Sequence, residues 1–229
     1  MNEALLIDHM GSDLTVVNAA RRSHGVEHRE FSFKRRGNGS LADDELIESL
    51  VTEGHFLPFR HPHIELSCAA PLPIARQLGK HQVGMTWSEI TRRLKHKRAG
   101  FTFHMLDGTW RREYEGRGHG TGELLPPLEQ LSLEAIQADN VQMCLRQFEA
   151  ALDFGAAHEQ ARFLLPQSMD VLWTWTGSLL AWYHVYHMRN HPDVQKECRD
   201  FASLLPQLIG ELYPVSWGFL THTFIPPEA

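Results

Sequence analysis

The stretch from His63 to Ala70 restricts the fold more than any other. Ile64, Leu66 and Cys68 alternate with Glu65 and Ser67, a period of two that gives an extended segment one apolar and one polar face. Such a segment is stable only inside a sheet whose apolar side is covered. Pro71 and Pro73 then stop the strand and open a helix through Ile74, Ala75 and Leu78, which delivers the residues after it into a loop. Leu5 to Asp8 reads as a second short strand, followed by a turn at Met10-Gly11-Ser12-Asp13. Ser12 or Asp13 caps a helix from Leu14 to Arg21, with Leu14, Val17 and Ala20 on one side.

A further helix opens at Ser40-Leu41-Ala42-Asp43, with Ser and Asp at the cap and third positions. Its apolar stripe is Leu46, Ile47, Leu50 and Val51, and Gly54 stops it. Gly25 to Gly39 is a polar loop, and Gly100 to Pro127 is irregular and expected to be the most mobile segment. From Ser132 onward the pattern is helical, with helices from about Leu133 to Phe154, Ser168 to Arg189 and Pro192 to Leu212, the last kinked or divided at Pro206. Strands in the first half and helices in the second predict an α+β fold, a single domain over residues 1–229.

Composition excludes several classes. A chain of 229 residues with 42% hydrophobic and 22% charged content is globular. The net charge of −6 argues against a field for duplex nucleic acid, while cations cluster at Arg35-Arg36, Arg92 to Arg98 and Arg111-Arg112, which favours a small anion. Cys68, Cys144 and Cys198 form no Cys-x-x-Cys pair, so disulfides are not expected and a reducing compartment is. The N-terminus lacks a basic, apolar leader. The most apolar window, Val171 to Val185, is too short for a bilayer and broken by Thr174, Thr176 and Ser178. A cytoplasmic protein is expected.

The chemistry concentrates in Arg76 to Arg93 together with Pro58-Phe59-Arg60-His61. These hold five cations, Arg60, Arg76, Lys80, Arg92 and Arg93, with Glu89, Gln77 and Gln82 among them, flanking an apolar strand. That mixture suits a pocket for an anionic, hydrogen-bonding ligand. Arg162 and Arg189 sit in apolar sequence, where a guanidinium needs an anion or must snorkel; a phosphate held by several forks satisfies them together. His55, His61 and His63, and His184, His187 and His191, invite a metal, but no His-Glu-x-x-His is present, and solvated or hydrogen-bonded histidines are the preferred reading. There is no Gly-x-Ser-x-Gly elbow, Rossmann turn or P-loop, and Cys68 reads as a buried structural thiol. Trp173, Trp175 and Trp182, read as helical, are expected in the core or at a subunit interface.

Several blocks in order resemble the flavin-dependent thymidylate synthases. They are Leu6 to Leu14, Ala19 to Ser23, Gly54 to His61, Ala75-Arg76-Gln77, Ala161 to Pro166 and His184 to Arg189. The resemblance implies a small antiparallel or mixed sheet with long helices in the C-terminal half, assembled as a homotetramer with sites where subunits meet. It implies reductive C5-methylation of dUMP to dTMP, with methylenetetrahydrofolate as carbon donor and FAD, reduced by NADPH, as cofactor. By position Gln77, Thr91, Arg92, Arg93, Arg162 and Arg189 bind the nucleotide, and Arg189, Thr91 and His55 are the catalytic candidates. Ser23, Lys80, His81, Gln82, Val83, Glu89, Ser178 and His184 fall to FAD. At about 100° per residue, Ser178 and Arg189 share a helix face and His184 lies about 120° away, so one helix serves two sites or several chains build one.

The departures are specific. The family reads Arg-His-Arg then, after seven residues, Ser; this chain has Lys80-His81-Gln82 and Thr91, with one extra residue within Val83 to Trp87. Lys for Arg trades a fork for a point charge, and Gln for Arg removes a charge. Two alternatives follow: a related enzyme that hydroxymethylates C5 or methylates another uridine nucleotide, and an inactive nucleotide-binding homologue. A metal-dependent hydrolase is a third.

Overall fold

The computed structural model describes residues 3–35, 40–90, 101–115 and 121–225. In chain order it comprises β1 (Glu3–Met10), α1 (Asp13–Arg21), α2 (Asp43–Thr52), β2 (His63–Pro71), α3 (Leu72–Leu78), β3 (Met85–Glu89), β4 (Arg111–Glu113), β5 (Thr121–Leu124), α4 (Pro127–Asp153), α5 (His158–Ala161), β6 (Asp170–Ser178), α6 (Leu179–Arg189), α7 (Lys196–Ala202), α8 (Leu205–Gly210) and α9 (Pro214–Thr221). The class is α+β, as the sequence predicts.

The main sheet is antiparallel in the order β1-β2-β6-β3, and β4 and β5 form a separate hairpin. Ile64, Leu66 and Cys68 are buried, so the period-two pattern of β2 marks the core face. Leu66 pairs with Trp175 and Cys68 with Trp173, which extends that face across β6. Helices close it: the Trp175 ring meets Trp182 of α6 edge-on at 4.9 Å, and Phe201 of α7 stacks on Trp173 at 6.0 Å. Trp182 Nε1 donates to the Ile64 carbonyl at 3.1 Å, so this indole is buried with its polar atom satisfied.

The expected helix from Ser168 to Arg189 is corrected by β6. Val171, Trp173, Trp175 and Gly177 are buried, while Leu172 is exposed and Thr174 and Thr176 are half-buried, a period of two. The β-formers Val, Trp and Thr decide it, because β2 and β3 offer their edges on either side. Helix starts only at Leu179, where the Ser178 hydroxyl accepts from the Ala181 N–H at 3.3 Å. At Gly177, beside β3, a Cβ would meet Met85 Sδ, so a larger residue there requires the Met85 side chain to move.

Other boundaries also differ. Pro127 at the first turn starts α4 before Leu133. The third expected helix is divided at Pro206 as the sequence predicts, with that proline in the first turn of α8, whereas α9 has no counterpart among the expected helices. The segment from 100 to 127 contains β4 and β5 where the sequence suggests only irregular chain, and Met85–Glu89 is a strand, not loop. The N-cap of α2 is Ala42, whose N–H donates to Glu45 at 2.9 Å; Asp43 instead accepts from Ser32 N at 2.9 Å and Arg21 Nη2 at 2.9 Å, tying down the preceding loop. Among the described residues no helix is long and apolar enough to cross a membrane.

α4 stands apart. Of its 27 residues only Gln130 and Val141 are buried, and Leu128, Leu131, Ile136 and Met143 are exposed.

Candidate functional site

The connection from α3 to β3 carries Lys80, His81, Gln82 and Val83 past the C-terminal end of α6. Arg189, the last residue of α6, meets it there. Arg189 Nη2 donates to the Gln77 carbonyl at 3.2 Å, satisfying an oxygen near the end of α3, and Nε donates to His81 Nε2 at 2.9 Å. An accepting Nε2 makes His81 neutral, with its proton on Nδ1. Burial first, then the charges of Arg189 and His184, hold the His81 pKa down at about 4, so that neutral form persists well below pH 7.

Three depressions surround this contact. The first, 880 Å³, is lined by Gln77, Lys80, His187, Met188, Arg189 and Gln195, among others. The second, 550 Å³, is lined by Arg76, His81, Gln82, Trp87 and Glu89, with Trp87 stacked on Trp173 at 4.2 Å. The third, 160 Å³, lies between Arg60, His63, Val83, Ser178 and His184. There burial, then His187 and Arg60, lowers the His184 pKa. The Arg189–His81 contact joins the walls of the first two. The first cleft is lined by two cations, Lys80 and Arg189, two amides, Gln77 and Gln195, and one carboxylate, Asp193, a set able to hydrogen-bond a polar ligand.

The sequence-predicted residues thus divide. Gln77, Lys80 and Arg189 share the first depression; His81, Gln82 and Glu89 share the second; Val83, Ser178 and His184 share the third. Pairing Ser178 with Arg189 by helix geometry is corrected: Ser178 has extended backbone (ψ 158°), so helical spacing does not extend to it. Ser23, His55 and Arg162 line none of the three. Ser23 Oγ donates to the Ala20 carbonyl at 2.7 Å within a short 3₁₀ turn, and exposed His55 lies 3.6 Å from Glu53. Arg162 is exposed and its Nε donates to the Glu159 carbonyl at 3.2 Å. Its apolar sequence neighbours do not bury it within one chain, because the turn leaves Phe163 83% exposed. Thr91, Arg92 and Arg93 lie outside the described residues.

Sequence reasoning missed a polar chain behind the first depression. Gln77 Nε2 donates to Gln195 Oε1 at 2.6 Å, and Gln195 Nε2 donates to Glu197 Oε2 at 2.9 Å. Both terminal nitrogens of Arg111 reach Glu197 Oε1 at 2.9 Å. These residues come from separate parts of the chain, and no spacing signals their meeting.

Among the described residues no group of three or more His, Cys, Asp or Glu side chains is placed to hold a metal ion. None of the cysteines lines the three depressions, and burial pushes the Cys68 thiol pKa upward, away from a nucleophilic thiolate.

Fold and cleft together define an α+β protein with a polar cleft beside the C-terminal ends of α3 and α6. The family described as "Thymidylate synthase complementing protein" matches residues 5–215, and the chain belongs to that family. A flavin-dependent thymidylate synthase of Thermus thermophilus is 27% identical over 217 residues, covering 93% of this chain and 73% of the relative. The enzyme of the same name from Thermosipho africanus is 26% identical over 214 residues, covering 93% and 87%. Among solved structures, a UMP/dUMP methylase, PolB, from Streptomyces cacaoi, bound with 5-Br UMP, superposes with a TM-score of 0.81 at 23% identity, covering 97% of this chain and 95% of that one. The fold is therefore that of this group.

Proposed function

We propose that the chain is an enzyme of the methyltransferase type that converts dUMP to dTMP by flavin-dependent reductive C5-methylation, using methylenetetrahydrofolate and NADPH. The carrying observation is Arg189, fixed between Gln77 and His81, beside Lys80 in a nucleotide-sized cleft. With Nε and one Nη2 hydrogen engaged, the Nη1 donors have no partner among the described residues and are left for a ligand. A guanidinium at a pyrimidine carbonyl favours the negative charge that develops on the ring as C5 attacks an electrophilic carbon, with no thiol required. Lys80, a point charge, suits the phosphate.

FAD fits the residues of the second depression. Trp87 supplies an apolar wall, and neutral His81 with Gln82 supplies donors and acceptors for a ring edge. Bound there and reduced, it supplies the hydride. With Gln82 where the family has an arginine, this chain holds the flavin with one positive charge fewer. Exposed Leu128, Leu131, Ile136 and Met143 on α4 support a homotetramer in which Arg162 and the segment with Thr91, Arg92 and Arg93 complete a neighbour's site.

A second reading, methylation of UMP, draws on the fold neighbour, solved with 5-Br UMP and with 5-Br dUMP. Incubating the protein with FAD, NADPH, methylenetetrahydrofolate and each nucleotide, with products read by mass, separates the two. The expected result is a yellow protein and dTMP. A colourless protein that takes up no FAD and methylates neither nucleotide overturns both readings.

A further inference from the structure

The amide of Gln77 has only one orientation consistent with its surroundings, and Glu197 sets it. A carboxylate held by Arg111 accepts and does not donate, so the Gln195 end that faces it must be the NH₂ group. The other end of Gln195, its carbonyl, then faces Gln77, which must present its own NH₂. What remains of the Gln77 side chain at the first depression is its carbonyl oxygen, with no partner among the described residues, together with the second hydrogen of its NH₂ group. The three links are 2.6 to 2.9 Å long, and the relay starts from Glu197, a buried carboxylate whose acceptor character is fixed by Arg111.

We propose that Glu197 and Gln195 are positioning residues that keep the Gln77 carbonyl turned towards the first depression, so that Gln77 selects a hydrogen-bond donor on the nucleotide. Two groups of dUMP supply such a donor, the base N3–H and the sugar 3′-hydroxyl. An outward NH₂ would instead suit phosphate or the bare N3 of cytosine. The inference deepens the nucleotide reading above and rests on it.

The experiment measures equilibrium binding of dUMP, dCMP and the 3′-deoxy analogue of dUMP to the wild type, Gln195→Met and Glu197→Gln. Gln195 is exposed, so the methionine variant keeps the Arg111–Glu197 pair while freeing the Gln77 amide to turn over. Glu197→Gln can donate to Gln195 and so lets the whole chain reverse. Wild type is expected to prefer dUMP by about tenfold over whichever analogue lacks the matched donor, dCMP for N3–H or the 3′-deoxy nucleotide for the hydroxyl. Both variants are expected to bring that ratio close to one. Wild type binding all three equally, or a ratio unaltered in both variants, overturns the relay and leaves the nucleotide reading standing. Wild type binding none of the three overturns both.

Discussion

Acid is expected to unlock Arg189 through His81. The Arg189 Nε–H donates to an imidazole nitrogen that carries no proton. Protonating it sets two donors and two cations face to face, and the contact is lost. The folded His81 pKa is about 4 against an ordinary 6.5, so between those values the unfolded chain binds the proton and the folded chain does not. Stability contributed by the neutral ring is therefore present above pH 6.5 and drains away as pH falls towards 4. At 1.36 kcal/mol per pH unit the full interval is worth roughly 3.4 kcal/mol, and solvent screening of a half-buried ring reduces this to about 1–2 kcal/mol. In a chain of this size that is a fall in Tm of about 3–6 °C. The assay is thermal unfolding from pH 7.5 to 4.5 of wild type and His81→Asn, whose side-chain oxygen accepts from Arg189 but does not titrate. The other histidines contribute equally to both proteins, so the difference isolates His81. Parallel Tm curves for the two proteins refute the reasoning.

Three further outcomes follow from single contacts. Gly177→Ala pushes a methyl against the Met85 thioether, which must swing aside, and is expected to cost about 1 kcal/mol in denaturant unfolding, with part restored by also making Met85→Ala. Asp13→Ala leaves the N–H groups of Val215 and Ser216 at the start of α9 without acceptors now at 3.0 and 2.8 Å, and is expected to cost about 2 kcal/mol by the same measurement. Arg189→Lys cannot reach the Gln77 carbonyl and His81 while also presenting a planar fork, so calorimetry is expected to show dUMP bound about 10–100-fold more weakly, accompanied by a fall in Tm of a few degrees.

What the sequence shows depends on the range of the interaction. The alternation in β2 is legible because one face is buried and the other is not, and that contrast is written every second residue. β6 obeys the same rule, yet it runs without a turn signal into α6, and Trp173, Trp175 and Trp182 hide the change of period. The turn holding Lys80, His81 and Gln82 stands out as a motif, but its link to Arg189 is visible only once α6 ends beside α3. Gln195 and Glu197 give no signal, since an amide on an exposed segment looks solvated until Gln77 arrives from 118 positions away.

The position of β6 has a consequence for synthesis on the ribosome. It is inserted between β2 and β3, which emerge about a hundred residues earlier, so the nascent N-terminal half has two strand edges and an apolar face with nothing to cover them. No translation intermediate ending before Ser178 can close the sheet, and pairing across so long a loop is slow. During that interval the exposed edges of β2 and β3 are where a chaperone binds or aggregation begins.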